Sequence, residues 1–166
     1  MILDSETKAA ELPEDHGEEL RLWLRLLTCT TLIEGEVRRR LRERFGVTMP
    51  RFDLMAQLDK VPGGMTLSDV SKRMMVSNGN VTGLVERLME SGHIDRRTSE
   101  TDRRVQVIRL TRLGRADFRR MAAEHKAWIA DIFADLADKD VRDLMRLLAK
   151  TKASARRAQT TPLPPA

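Results

Sequence analysis

The stretch His93–Thr111, HIDRRTSETDRRVQVIRLT, decides the fold. Two runs of strand-forming residues, Ile94–Thr98 and Val105–Thr111, flank a polar tip, Ser99-Glu100-Thr101-Asp102, and Arg103 and Arg104 follow at once. Runs of this kind around a short polar tip read as a β-hairpin. A ribbon whose tip carries paired arginines suits insertion between phosphate backbones, because a narrow minor groove concentrates negative potential and attracts Arg. A hairpin alone proves little. Its value here is that a helix–turn–helix pattern directly precedes it, and the two together make a winged helix.

That pattern begins at about Pro50, an allowed first-turn residue, with a helix to Lys60 whose apolar residues are Phe52, Leu54, Met55 and Leu58. Pro62-Gly63-Gly64 breaks the chain. Thr66 caps a short helix, Leu67–Met74, with Asp69 three residues on as in a capping box. Ser77 caps the next helix, which ends at Ser91-Gly92. At about 100° per residue, Val81, Leu84, Val85 and Leu88 fall on its core side, while Gly79, Gly83, Glu86 and Glu90 lie opposite, flanked by Asn80, Thr82 and Arg87. Recognition helices contact bases through their N-terminal residues, which singles out Ser77, Asn78, Asn80 and Thr82. Asn bonds adenine N6 and N7, and the Thr methyl meets thymine. Capping alone also accounts for Ser77. Thr66 and Ser68 are placed to bond phosphate through hydroxyls and helix N-terminal amides.

Long helical patterns flank this module. From His16 to Phe45 one apolar stripe runs Leu22, Leu26, Cys29, Ile33, Val37, Leu41, and a second runs Leu20, Trp23/Leu24, Leu27, Thr31, before Gly46 stops the helix. Two stripes point to burial on two sides, against the chain's own core and against a partner. A helix from near Thr111 to about Leu136 and a last helix capped by Asp138 follow. The division expected is a flexible acidic arm (1–15), an N-terminal dimerisation helix (16–46), a winged helix–turn–helix module (47–112), C-terminal dimerisation helices (113–156) and a disordered tail (157–166). The fold class is mainly α with a small β-wing (α+β). The outer helices have more apolar surface than the module can cover, so a two-fold homodimer is expected.

Composition agrees. Of 166 residues, 33% are charged and 4% aromatic, with no Tyr, which favours helices with wide solvated faces. The net charge is +5, yet residues 1–20 hold seven acids against one lysine, while residues 66–115 hold ten Lys/Arg against six acids. Basic charge gathered on one module is the footprint of a polyanion partner. One cysteine excludes a disulfide framework, and His16, His93 and His125 fall in different elements, so neither metal nor cofactor is expected. No phosphate-binding glycine loop or nucleophile motif points to an enzyme. No apolar run reaches the ~20 residues of a membrane span and no secretory leader is visible, so a soluble, cytoplasmic protein is expected.

The run from Ser77 through Leu88, Gly92, Asp102-Arg103-Arg104 and Leu110-Thr111 to Gly114 resembles the MarR family of bacterial transcription regulators, and the likeness extends over roughly residues 18–155. It implies a homodimer that binds a pseudo-palindromic operator in double-stranded DNA. It further implies that Arg104 enters the minor groove, that Asp102 orients the wing by pairing with an arginine, and that Arg103 supports it. Such regulators commonly act as repressors released by a small molecule, often an aromatic acid, a phenol or an aromatic acyl-CoA thioester. The pocket between dimer helices and winged module would here be walled by Trp23, Leu27, Phe52, Met55, His125 and Trp128, all of which serve equally as core. The run Arg38, Arg39, Arg40, Arg42, Arg44, with Arg51 nearby and Glu43 as its one acid, suits a carboxylate or the phosphates of a thioester, with Arg38 and Arg40 the contacts, but also DNA phosphate or solvent. Cys29 raises a thiol redox sensor as an alternative. Its place on an apolar stripe without a basic neighbour reads instead as core filler. A winged module that binds protein is the remaining alternative.

Overall fold

A computed structural model describes residues 17–99, 102 and 104–160, with Asn78 through its backbone only. The acidic arm, His16, Arg103, the side chain of Asn78 and the last six residues lie outside the described residues. The order is α1 (Glu18–Phe45), α2 (Met49–Asp59), α3 (Leu67–Met74), α4 (Asn78–Glu90), β1 (Ile94–Thr98), β2 (Gln106–Leu110), α5 (Arg112–Ile132) and α6 (Asp138–Thr160). The chain divides into two compact units after Trp128.

In the first unit each boundary has a local cause. Glu18 and Glu19 open α1 and Arg42 and Arg44 close it, matching the helix dipole, and Gly46 ends it with a left-handed φ of 64°. Thr66 caps α3 by accepting the Asp69 amide at 3.1 Å and donating its hydroxyl to the Asp69 carboxylate at 2.7 Å. Ser77 caps α4 through the Asn80 amide at 3.4 Å. Gly92, with φ 72°, closes α4 in a Schellman pattern: its N–H donates to Met89 O and the His93 N–H to Leu88 O, both at 2.9 Å.

The core sits where α2, α3, α4 and the ribbon meet. Leu54, Met55 and Leu58 of α2 are fully enclosed, as are Val70 of α3, Val81 and Val85 of α4 and Ile108 of β2. From α1 only Val37 and Leu41 reach it. β1 and β2 pair antiparallel from Ile94↔Leu110 to Thr98↔Gln106. Met65 exchanges two backbone hydrogen bonds with Ile108, at 2.9 and 2.8 Å, and so ties the ribbon to the segment entering α3. Gly114 lies on the His93 carbonyl, where a Cβ would stand 1.9 Å from the oxygen.

The second strand is shorter at both ends than the run Val105–Thr111. The Val105 amide donates to Asp102 O inside the tip, at 3.0 Å, and Thr111 becomes the cap of α5 by accepting the Gly114 amide at 3.0 Å. α5 stops at Ile132 rather than near Leu136, because Ala134 and Leu136 turn back onto Asp131 and Phe133. In the second unit α6 runs to Thr160, four residues into the segment expected as tail, and no residue of it is buried. No helix among the described residues is long and apolar enough to cross a membrane.

One expectation for α1 needs correction. Cys29 is exposed rather than core filler, because the stripe it belongs to is buried only at Val37 and Leu41. Leu20, Leu22, Trp23, Leu27 and Leu32 are 41–58% exposed in this single chain.

Candidate nucleic-acid interface

The turn between α3 and α4 sets how the second helix leaves the first. Ser71, buried, donates its hydroxyl to Val76 O at 2.6 Å, and Met75 takes a left-handed φ of 56° with 93% of its surface exposed. α4 then buries Val81, Val85 and Leu88 and turns the opposite side outward. Ser77, Asn80 and Arg87 are exposed there and Thr82 is half-buried. A Cβ added at Gly79 or Gly83 would meet nothing within 4 Å beyond the helix's own backbone, so neither glycine is required by packing. Thr66 and Ser68 stand at the start of α3, where the Thr66 hydroxyl is already engaged by Asp69.

The wing is stiffened at both ends. At its base, Asp95 accepts from Arg109 Nε across the ribbon at 3.1 Å and from Arg97 Nε at 3.1 Å. At its tip, the Ser99 amide donates to Val105 O at 2.8 Å, and the Asp102 carboxylate accepts the amide of Arg104 at 2.9 Å. Asp102 and Arg104 are both exposed. Among the described residues Asp102 thus braces the turn through the backbone N–H of Arg104; the expected pairing of Asp102 with an arginine side chain involves a tip whose Arg103 lies outside them. A short aspartate closing its own turn engages the backbone of Arg104, whose side chain is exposed.

A cleft of about 520 Å³ opens between α3 and the wing, lined by Thr66, Asp69, Lys72, Arg73 and Asp102 among others. Lys72 and Arg73 are exposed. The sequence reading missed them because two cations in a last turn read equally well as partners of the helix dipole.

The residues proposed for an effector come together only in part. The Phe52 ring lies 5.1 Å from His125 and 5.5 Å from Phe118, and Trp128 packs 6.1 Å from Phe45. Met55 is buried beside Phe52 in sequence and in the core. Asp53, half-buried, joins this aromatic group: burial raises its pKa, with His125 pulling it down and Glu34 adding to the rise. Trp23 and Leu27 are exposed on the first half of α1.

Four arginines of the run, Arg38, Arg39, Arg40 and Arg44, are paired with acids. Arg38 pairs with Glu34, Arg40 with Glu36 at 2.6 Å, Arg39 with Glu36 and Glu43 at 2.7 and 2.6 Å, and Arg44 with Glu124 at 3.6 Å. Hydrogen bonds from Arg39 and then Arg40 bring the Glu36 pKa down to about 2. The expectation counted Glu43 alone because it began at Arg38. The other acids sit one turn earlier on the same helix, or on α5.

A profile of the MarR family matches residues 45–105, from the end of α1 through the wing tip. The transcriptional activatory protein BadR of Rhodopseudomonas palustris is 29% identical over 133 residues, 78% of this chain and 75% of its own length. The HTH-type transcriptional repressor MdtR of Bacillus subtilis is 30% identical over 113 residues, 68% of this chain and 72% of its own. The structure of Streptococcus pneumoniae FabT in complex with DNA superposes with a TM-score of 0.72 at 26% identity, over 85% of this chain and 99% of that one.

Proposed function

The chain belongs to the MarR family of winged helix–turn–helix DNA-binding transcriptional regulators, a family of regulators rather than enzymes, and on that premise we propose that it acts as a homodimeric repressor released from a pseudo-palindromic operator by a small aromatic ligand. The N-terminal residues of α4, with Ser77, Asn78, Asn80 and Thr82 as base and backbone contacts, enter the major groove. Arg87 and the hydroxyls of Thr66 and Ser68 hold phosphate, and Arg104, supported by Arg103 and presented by the Asp102 turn, reaches the minor groove. The observation that carries this reading is the tip geometry: the Arg104 amide is tied to Asp102 while its side chain stays exposed.

The test is operator binding. A duplex selected by the protein from a random pool should lose affinity about 10- to 100-fold on Arg104→Ala, and the salt slope of binding should fall by about one. Unchanged affinity sinks the wing assignment and favours a module that binds protein.

For the ligand, Phe52, His125 and Trp128 offer the aromatic wall. Asp53 stands against it as an acceptor, which suits the hydroxyl of a phenol better than a second carboxylate. Arg38 and Arg40, the contacts for thioester phosphates at the end of α1, are paired with Glu34 and Glu36, which favours a phenol or a free acid over a thioester. A panel of phenols, aromatic acids and their CoA thioesters, scored by release of the selected duplex, decides among them; release by thioesters alone overturns this choice.

A further inference from the structure

His93 sits where the end of α4, the start of β1 and the first turns of α5 meet. Its backbone is held on every side. Its N–H donates to Leu88 O at 2.9 Å, its carbonyl accepts the Thr111 amide at 3.0 Å and hydroxyl at 3.2 Å, and Gly114 lies against that carbonyl. The ring reaches in two directions: Nδ1 stands 2.8 Å from Ser91 Oγ and Nε2 stands 3.1 Å from Asp117 Oδ2. Ser91 Oγ in turn lies 3.0 Å from Arg87 O and 3.2 Å from Leu88 O, both acceptors at the end of α4.

A hydroxyl has one proton to donate. When Ser91 gives it to the helix carbonyls, Nδ1 must donate to Ser91 and Nε2 to the Asp117 carboxylate, so both nitrogens carry protons. A neutral ring that keeps its Nε2–H on Asp117 makes Nδ1 an acceptor, and draws the Ser91 proton away from the helix end. Protonation of His93 and capping of α4 are therefore one equilibrium.

We infer that His93 is a proton-dependent clasp, whose charged ring ties the C-terminus of the recognition helix to Asp117 of α5 and so positions α4 and the wing for DNA. The inference rests on the reading of those two elements as the DNA contacts. The charged groups on the packed elements are consistent with it. Asp117 is held also by Arg120 at 3.2 Å, Asp95 in β1 is taken by Arg97 and Arg109, and Arg87 and Glu90 at the end of α4 are exposed. Among the described residues Asp117 is the one carboxylate set against the ring. The two side chains are 22% and 30% exposed, so solvent competes with the pair without removing it.

Histidine changes charge between about pH 5 and 8. The proton adds a bond to the clasp, so operator affinity rises as pH falls through that range and is lost as pH rises, and bound DNA favours the protonated ring in return.

The test measures affinity for the selected duplex from pH 5.5 to 8.5 at constant ionic strength. The unaltered protein should bind about tenfold more tightly at pH 6 than at pH 8, and His93→Gln and Asp117→Asn should each flatten that dependence. A long-range ¹H–¹⁵N spectrum of the unaltered protein at pH 6 should show both His93 ring nitrogens protonated, which needs no variant to fold. A neutral-tautomer pattern at pH 5.5, or the same pH slope in His93→Gln as in the unaltered protein, overturns the clasp. Arg104→Ala separates the two proposals, since it should weaken binding at every pH and leave the slope intact.

Discussion

Asp53 shows how a single residue in the winged module is set by neighbours far away in sequence. It lies on α2 inside the apolar run Phe52-Asp53-Leu54-Met55, and burial raises its pKa although His125 stands by to oppose the shift. An acid raised in the folded state binds more protons folded than unfolded, so its charge destabilises the protein as pH climbs from the ordinary aspartate range through the raised value. Asp53→Asn should therefore raise the melting temperature at pH 7, by the equivalent of less than about 1 kcal/mol once screening at this half-exposed site is allowed for. The gain should vanish near pH 4, and calorimetry at the two pH values checks it. Equal gains at both would mean that the amide acts through packing. The arginines of α1 teach the converse. The partners of Arg38, Arg39 and Arg40 are three and four positions away, a spacing that the chain displays openly, and counting charge by helix face rather than by run exposes the pairing with Glu34 and Glu36. The contact of His93 with Asp117 spans 24 positions and both strands of the ribbon. Nothing periodic in the chain announces it.

At the scale of elements, α3 and α4 carry departures from ideal helices that test differently. α3 ends in a Schellman pattern, with the Met75 amide on Lys72 O and the Val76 amide on Ser71 O, but places Met where the left-handed φ of 56° favours glycine. Met75→Gly should stabilise the protein by about 1 kcal/mol, read as a rise of roughly 2–4 °C in Tm. A fall would mean that the exposed thioether has a partner. In α4 the two unpacked glycines each weaken the helix by about 1 kcal/mol relative to alanine. Gly79→Ala and Gly83→Ala should both raise Tm; if the helix lies close to DNA they should also lower operator affinity, measured on the same samples. Affinity that is unchanged while Tm rises marks the glycines as incidental. The ribbon was legible from its β-branched residues and polar tip. Its true length was not, because the amide of Val105 and the hydroxyl of Thr111 are used by the tip and by the cap of α5.

For the whole molecule, we propose that the apolar residues left uncovered decide its assembly. Leu20, Leu22, Trp23, Leu27 and Leu32 on α1 are exposed, as are Leu144, Met145, Leu147 and Leu148 on α6. An apolar surface of this extent is covered in a stable soluble protein, and a second copy is the proposed cover. Sedimentation should give a dimer, and Leu144→Glu with Leu148→Glu should give a monomer whose operator affinity is lower by more than tenfold, since two linked half-site contacts are lost. A doubly substituted protein that sediments as a dimer would place the interface elsewhere. What the chain determined by itself is whatever local chemistry enforces: the helices through their apolar spacing, their ends through Thr66, Ser77, Gly46 and Gly92, and the wing through its strand-forming runs. What only the tertiary structure decided is the set of contacts between residues distant in sequence, such as Asp95 with Arg109, Phe52 with His125 and His93 with Asp117. The physical reason is that caps and periodicity act within one or two turns of chain, whereas the partners of a ribbon strand or a helix face are chosen by packing the elements around one core.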